Sequence, residues 1–234
     1  MKHRELREAV CEANREIART NLAILTWGNA SGADRAAGVM AIKPSGIAYD
    51  LLRPEDIVVL SIETGARVEG PGRPSSDTPT HLHLYRAFPN VGGIVHTHSP
   101  YATAWAQAGL EIPCFGTTHA DTFHGAVPLT RMLTEKEVRG DYEENTGRVI
   151  EERFREGGLD PQHLPGVLVA GHAPFAWGAT AEKALEHARV IEEVARMALL
   201  TVTLNPAANP LPGYVLDKHF LRKHGPGAYY GQPA

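Results

Sequence analysis

The sequence predicts a single α/β or α+β unit, with one core around a largely antiparallel or mixed sheet. Three observations carry this. The 234 residues, 43% of them hydrophobic, are enough to bury one full core. Strand-like and helix-like apolar patterns mix along the chain, with no repeat and no low-complexity tract. Residues 57–62 and 66–69 flank Glu63-Thr64-Gly65, a hairpin signal that pairs neighbouring strands antiparallel.

Each element has its own reason. Residues 3–19 place Leu6, Ala9, Val10, Ala13 and Ile17 at helical spacing with charges between, an amphipathic opening helix. Residues 21–33 and 39–43 read as strands around a polar turn. The hairpin follows, then a Gly/Pro/Ser-rich loop over 70–76. Asp77-Thr78-Pro79 opens a helix to about residue 88, with a polar N-cap candidate and Pro in the first turn. Residues 92–98 read as a buried strand, 101–108 as a helix ended by Gly109, and 127–130 as a short strand. Helix signals over 134–156 are interrupted at Gly140. Residues 167–177 read as one strand and 181–202 as a long amphipathic helix. The Pro- and Asn-rich segment 205–213 is a loop. It leads to a last helix, 214–224, and an aromatic tail with Tyr229 and Tyr230.

Composition narrows the function. A net charge of -4 and a pI near 6.3 leave no nucleic-acid footprint. No run of 18 apolar residues is present to span a membrane. Cys11 and Cys114 are too far apart to form a disulfide framework and favour a reducing compartment. The first residues lack an apolar signal core, so the cytoplasm is the expected location.

The chemistry-bearing residues fall into three groups. In His96-Thr97-His98 the two imidazoles share one face of the expected strand. Joined by a third from another segment, His172, they suit a catalytic zinc site that keeps one position open for substrate. Two buried rings without partners would cost several kcal/mol, which a bound metal resolves. His81 and His83 form a second His-x-His, but on a helix that spacing points about 200° apart. They are read as surface or packing residues. Asp77 is a fourth ligand or a carboxylate beside the metal, roles compatible with an N-cap. The second group suits an anion: Gly28 next to Asn29, Lys43-Pro44-Ser45-Gly46, and the Ser75 and Ser76 hydroxyls near a helix start. Together they make a phosphate pocket that is not a Walker loop. The third group is the segment 116–121, ending in Asp121, with Glu143 and the terminal tyrosines. Asp and Tyr can each carry a proton, although locally Asp121 reads as a turn residue and Tyr230 as a frayed tail.

The segments LTWGNASGAD, IKPSG, SIETG, PSSDTPTH, GGIVHTHS, GTTHAD, PGVLVAGHAPFAWG, LDKHFLRKHG and AYYGQ in combination resemble the class II sugar-phosphate aldolase/epimerase superfamily. They spread over nearly the whole chain, and LDKHFLRKHG with AYYGQ is similar to its epimerase branch. The resemblance implies a three-layer α/β/α fold with a central, mostly antiparallel sheet, in one domain over 1–234. It implies a four-fold symmetric homotetramer with active sites at subunit interfaces, where the segment 214–234 would dock. It implies a divalent metal, Zn2+ or another such as Mn2+ or Co2+, on His96, His98 and His172 with Asp77 close by. The implied phosphate pocket is Asn29, Lys43, Ser45, Gly46, Ser75 and Ser76. Asp121 and Tyr230 match the acid/base pair, reaching the metal from a neighbouring subunit, and Thr117, Glu143 and His219 match supporting polar positions. The implied substrate is a phosphorylated pentulose. L-Ribulose 5-phosphate and D-xylulose 5-phosphate would be interconverted at C4 by retro-aldol cleavage and aldol closure. Two relatives of other function share the fold. In L-fuculose-phosphate-type aldolases a Glu replaces Asp77, and adducin-like binding modules would be expected to lose metal ligands.

Overall fold

The computed structural model describes residues 1–229. Its centre is a seven-stranded sheet in the order β4-β3-β2-β1-β5-β7-β6, with every neighbouring pair antiparallel. The strands are β1 (Asn29–Asp34), β2 (Val39–Ile42), β3 (Val58–Ser61), β4 (Arg67–Glu69), β5 (Gly93–His96), β6 (Gly166–Leu168) and β7 (Pro174–Gly178). The Glu63-Thr64-Gly65 turn joins β3 to β4 as its sequence predicts.

Helices cover both faces. On one side lie α1 (Arg4–Arg19), α3 (Pro100–Ala108) and α7 (Ala181–Leu204); on the other, α2 (Thr78–Ala87) packs against α6 (Tyr142–Glu156). The shorter α4 (Thr117–Ala120), α5 (Glu135–Arg139) and α8 (Gly213–His224) complete the set. Two adjacent residues of β1 display the layering. A Cβ on Gly32 would meet Leu6, Val10 and Ala181, whereas Ser31 points the other way, to His81 and Tyr85 of α2. The expected three-layer α/β/α arrangement is therefore present.

Of the stripe its spacing foretold, the opening helix buries Val10, Ala13 and Ile17 and half-buries Leu6, while Ala9 is exposed. Its buried Asn14 then fixes β1. The Asn14 amide donates to the Ala30 carbonyl at 2.9 Å and its Oδ1 accepts from Ala30 N–H at 2.8 Å. This pair of hydrogen bonds holds the strand that carries the first cleft residues.

Three expectations need correction. Residues 21–28 are not strand: Asn21 and Leu25 have positive φ and the chain turns repeatedly before β1 begins at Asn29. The segment 167–177 is not one strand but the hairpin of β6 and β7, because Gly171 adopts a left-handed φ of 69° and reverses the chain. Residues 127–130 form isolated bridges, Val127 with Ile112 and Leu129 with Leu168, rather than a strand. The interruption at Gly140 is real and separates α5 from α6.

Candidate metal and phosphate cleft

Three imidazoles converge where β5 ends and the β6–β7 turn passes beside it. Strand β5 stops at His96, so His98 lies just beyond it, yet the two Nε2 atoms are 3.2 Å apart. His172 arrives from the turn. The ring centroids form a near-equilateral triangle of 4.9, 4.9 and 5.0 Å. One ligand atom from each lies within 4.8 Å of the others. His96 is stacked on Phe175 at 4.1 Å, and its Nδ1 lies 3.0 Å from the Pro174 carbonyl. A carbonyl only accepts, so Nδ1 carries the proton and Nε2 keeps its lone pair for the centre of the triangle. Burial pushes His98 down to about 4 and His172 to about 3, with His96 adding to both. Those two rings are neutral at pH 7 and can act as ligands. The His172 Nδ1 is buried with no partner among the described residues. Three converging imidazoles and an orphaned ring nitrogen are a donor set that fits a divalent cation.

Asp77 sits at the N-cap position of α2, but its side chain caps nothing. Instead its Oδ2 accepts from the Asn29 amide at 2.6 Å, and the same amide reaches Ser75 Oγ at 3.1 Å. Burial works against the Asp77 charge, but His96 and the Asn29 amide outweigh it and hold the carboxyl below its ordinary value. Asn29 and His96 are register partners on β1 and β5, which brings the carboxylate to the histidines.

The phosphate candidates are brought together by main-chain bonds. Ser45 N–H donates to the Arg73 carbonyl at 2.9 Å, and Ser75 N–H donates to the Lys43 carbonyl at 3.0 Å. The Lys43–Gly46 and Ser75–Ser76 segments are thus pinned side by side. Lys43 is almost wholly buried, and among the described residues its ammonium has no carboxylate partner. It donates to the Pro44 carbonyl at 3.3 Å and lies 5.0 Å over the Tyr49 ring. Burial lowers its pKa to about 8. A buried cation facing a cleft without a protein counter-charge is built for an anion.

All these groups line one cleft of about 470 Å³ that also takes in Glu143. A larger cavity, about 570 Å³ and floored by Phe88, Phe154 and Trp177, lies elsewhere and holds none of the three histidines. Three further residues shape the cleft. Tyr49 donates its phenol to the Trp27 and Gly28 carbonyls at 2.6 and 2.8 Å and holds their loop down. Gly28, at φ 78°, brings its backbone so close to β5 that a Cβ would stand 2.5 Å from the His96 carbonyl. Tyr142, which sequence reasoning missed, lines the wall with its ring 6.3 Å from His172. Its one signal was its place between the Gly140 break and Glu143. Tyr49 carried none.

The remaining candidates lie apart. Asp121 follows α4 and is held by α8. Arg222 donates to both carboxylate oxygens at 2.9 Å, His219 Nδ1 lies at 3.1 Å, and Lys223 is 3.4 Å away. Burial opposes its charge, but Arg222, His219 and Lys223 prevail and keep the carboxyl below its ordinary value. Thr117 opens α4 beside it. None of Thr117, Asp121 and His219 lines the cleft of its own chain. Tyr230 lies outside the described residues.

Residues 8–199 match the family described as Class II Aldolase and Adducin N-terminal domain. The chain is 54% identical to L-ribulose-5-phosphate 4-epimerase UlaF of Salmonella paratyphi B over 228 residues, which make up 97% of this chain and 99% of the relative. Among solved structures, an L-fuculose 1-phosphate aldolase superposes with a TM-score of 0.78 at 25% identity, covering 94% of this chain and 96% of that one. L-fuculose-1-phosphate aldolase from Thermus thermophilus gives 0.68 at 22% identity, covering 88% and 100%.

Proposed function

We infer the function from one premise: this chain belongs to the class II aldolase and adducin N-terminal domain family. We propose that it is an isomerase that interconverts L-ribulose 5-phosphate and D-xylulose 5-phosphate by inverting C4. The observation that carries this is the single cleft that joins three converging imidazoles to a buried, uncompensated lysine. Identity of 54% over 97% of the chain to an epimerase supports the choice of reaction.

The family depends on a divalent metal, and His96, His98 and His172 are the residues that would hold it. When bound, such an ion supplies a Lewis acid for the sugar's ketone and adjacent hydroxyl oxygens. We take the ion to be Zn2+, which three imidazoles with an open position suit, or another divalent ion such as Mn2+ or Co2+.

The chain's own residues do the rest. C4 is not next to the ketone and has no acidic hydrogen, so inversion proceeds by breaking and remaking C3–C4. Lys43, with Asn29, Ser45, Gly46, Ser75 and Ser76, holds the phosphate throughout. This grip keeps glycolaldehyde phosphate in place while its carbonyl turns over. Asp77, fixed by Asn29, keeps a negative charge beside the histidines. Proton transfer at the C4 oxygen needs a carrier on each face, and Asp121 and Tyr230 are assigned to these roles. Asp121 is bound to α8 outside its own chain's cleft. The family resemblance assigns it to the cleft of a neighbouring subunit, within a homotetramer whose interfaces complete the sites, and its place outside its own cleft supports this reading. Thr117 and His219 accompany it there, and Glu143 supports the cleft from within. The cytoplasm suits such an enzyme, and among the described residues no helix is long and apolar enough to cross a membrane.

The test is purified protein with L-ribulose 5-phosphate, coupled to detection of xylulose 5-phosphate, with a trap for free aldehyde in parallel. Inversion without trapped aldehyde is expected. Accumulated aldehyde would make it an aldolase of the fuculose-phosphate type, and no turnover with metal present would favour an adducin-like binding module.

A further inference from the structure

Two rungs join β1 to α2. Asn29 and Ser31 are two residues apart on one face of the strand, and Asp77 and His81 are one helical turn apart. Two residues of strand advance about 6.6 Å and four of helix about 6.0 Å, so the rungs stay in step. The first rung, Asn29 to Asp77, belongs to the cleft. In the second, Ser31 Oγ lies 2.7 Å from His81 Nδ1 and 2.8 Å from the Tyr85 phenol. All three residues are fully buried.

The directions of these bonds follow from the inventory of donors and acceptors. Among the described residues Ser31 Oγ is the one acceptor that the Tyr85 phenol reaches, so the phenol donates to it. Ser31 then gives its own proton to His81 Nδ1. With Nδ1 accepting from the serine, the ring's one proton sits on Nε2. That N–H is buried and has no partner among the described residues. Buried donors in native folds find partners. The acceptor that helix geometry supplies is the Asp77 carboxylate, four residues earlier on the same face.

We propose that His81 is a positioning residue that turns Asp77 toward the three-histidine site, donating Nε2–H to the carboxylate through one bridging water. Tyr85 and Ser31 lock the tautomer that makes this possible. Asp77 is then steadied from two sides, by the Asn29 amide and by His81. The inference rests on the reading of His96, His98 and His172 as a cation site.

Metal-stripped protein titrated with Co2+, followed by visible absorption and paired with thermal melting, tests it. His81→Leu should weaken Co2+ binding by about ten- to a hundred-fold, the scale of lost outer-shell support. His81→Gln, whose amide keeps an N–H near the same place, should recover most of that affinity. In an Asp77→Asn background His81→Leu should add little, because the two residues act as a unit. Undiminished Co2+ affinity in His81→Leu, or a fully additive loss in the double variant, overturns the proposal. If His81→Leu does not fold, Ser31→Ala carries the same test. It releases the tautomer, and the resulting loss of Co2+ affinity should vanish beside Asp77→Asn; no loss, or an additive one, overturns the proposal. Wild-type protein that binds no Co2+ overturns the cation site and this inference together. Wild type that binds while the His81 variants bind equally well overturns this inference alone.

Discussion

Asn29 stands directly across from His96 in the β1–β5 register, and its amide binds the Asp77 carboxylate at 2.6 Å. One strand residue thus links the metal candidates to the phosphate loop, because the same amide reaches Ser75. Asn29→Ala leaves a half-buried carboxylate without its amide donor. That loss is worth about 1–3 kcal/mol, so kcat/KM should fall roughly five- to a hundred-fold. Steady-state kinetics on the pentulose phosphate would check this, and unchanged kinetics would remove Asn29 from the site.

His98→Asn removes one of three converging imidazoles from a position outside the strand ladder. The fold should survive and the metal should be largely lost, with activity. Elemental analysis of protein purified without chelator, beside a circular dichroism melt, separates these outcomes. Full metal content with full turnover would mean that the triad is not the metal site.

Lys43→Met keeps the buried stem and removes the charge. One lost charge-assisted contact is worth about 1.5–3 kcal/mol. KM for the phosphorylated sugar should therefore rise about ten- to a hundred-fold, with kcat less affected. An unaltered KM would exclude Lys43 from phosphate binding.

The same lysine sets a pH dependence. Burial lowers its pKa from 10.5 to about 8. Phosphate needs the ammonium form, so kcat/KM should decline as pH rises through 8. Stability moves the opposite way. The fold disfavours the charged form, so this residue's contribution is fullest above the ordinary lysine pKa and is lost as pH falls through about 8. Wild-type and Lys43→Met profiles compared over that range test both signs. A decline that persists unchanged in Lys43→Met belongs to another group.

Asp121→Asn and Tyr230→Phe should each lower kcat by about a hundred-fold or more, the scale of general acid–base catalysis, with metal content intact. Hybrid oligomers of Asp121→Asn and His98→Asn chains would contain some sites with both groups present. Regained activity in such hybrids is expected. Hybrids confirmed by mass that stay inactive would count against sites shared between subunits.

The local patterns that repeat were legible, and those that depend on distant partners were not. The 3–19 helix, the Glu63-Thr64-Gly65 hairpin and the His-x-His pair are all set by spacing within a few residues. Apart from His172 the run 167–177 is almost wholly apolar, so no alternation reveals that Gly171 folds it into two strands. Asp121 reads as a turn residue because its partners, His219 and Arg222, lie about a hundred residues downstream. His81 reads as a packing residue because its helix spacing rules out chelation with His83. That argument stands, but it is silent about the serine on β1 that fixes the ring. Asp77 is open in sequence to a capping role that the structure does not use.

Gly28 has a consequence for altering this cleft. With a left-handed φ and the His96 carbonyl 2.5 Å from any added Cβ, the position tolerates no side chain at all. Its neighbour Trp27 is about half exposed on the rim, 6.4 Å from the His98 ring. Selection for a differently shaped sugar therefore has room to act on the Trp27 side chain at the rim, while the backbone holds its neighbour to glycine.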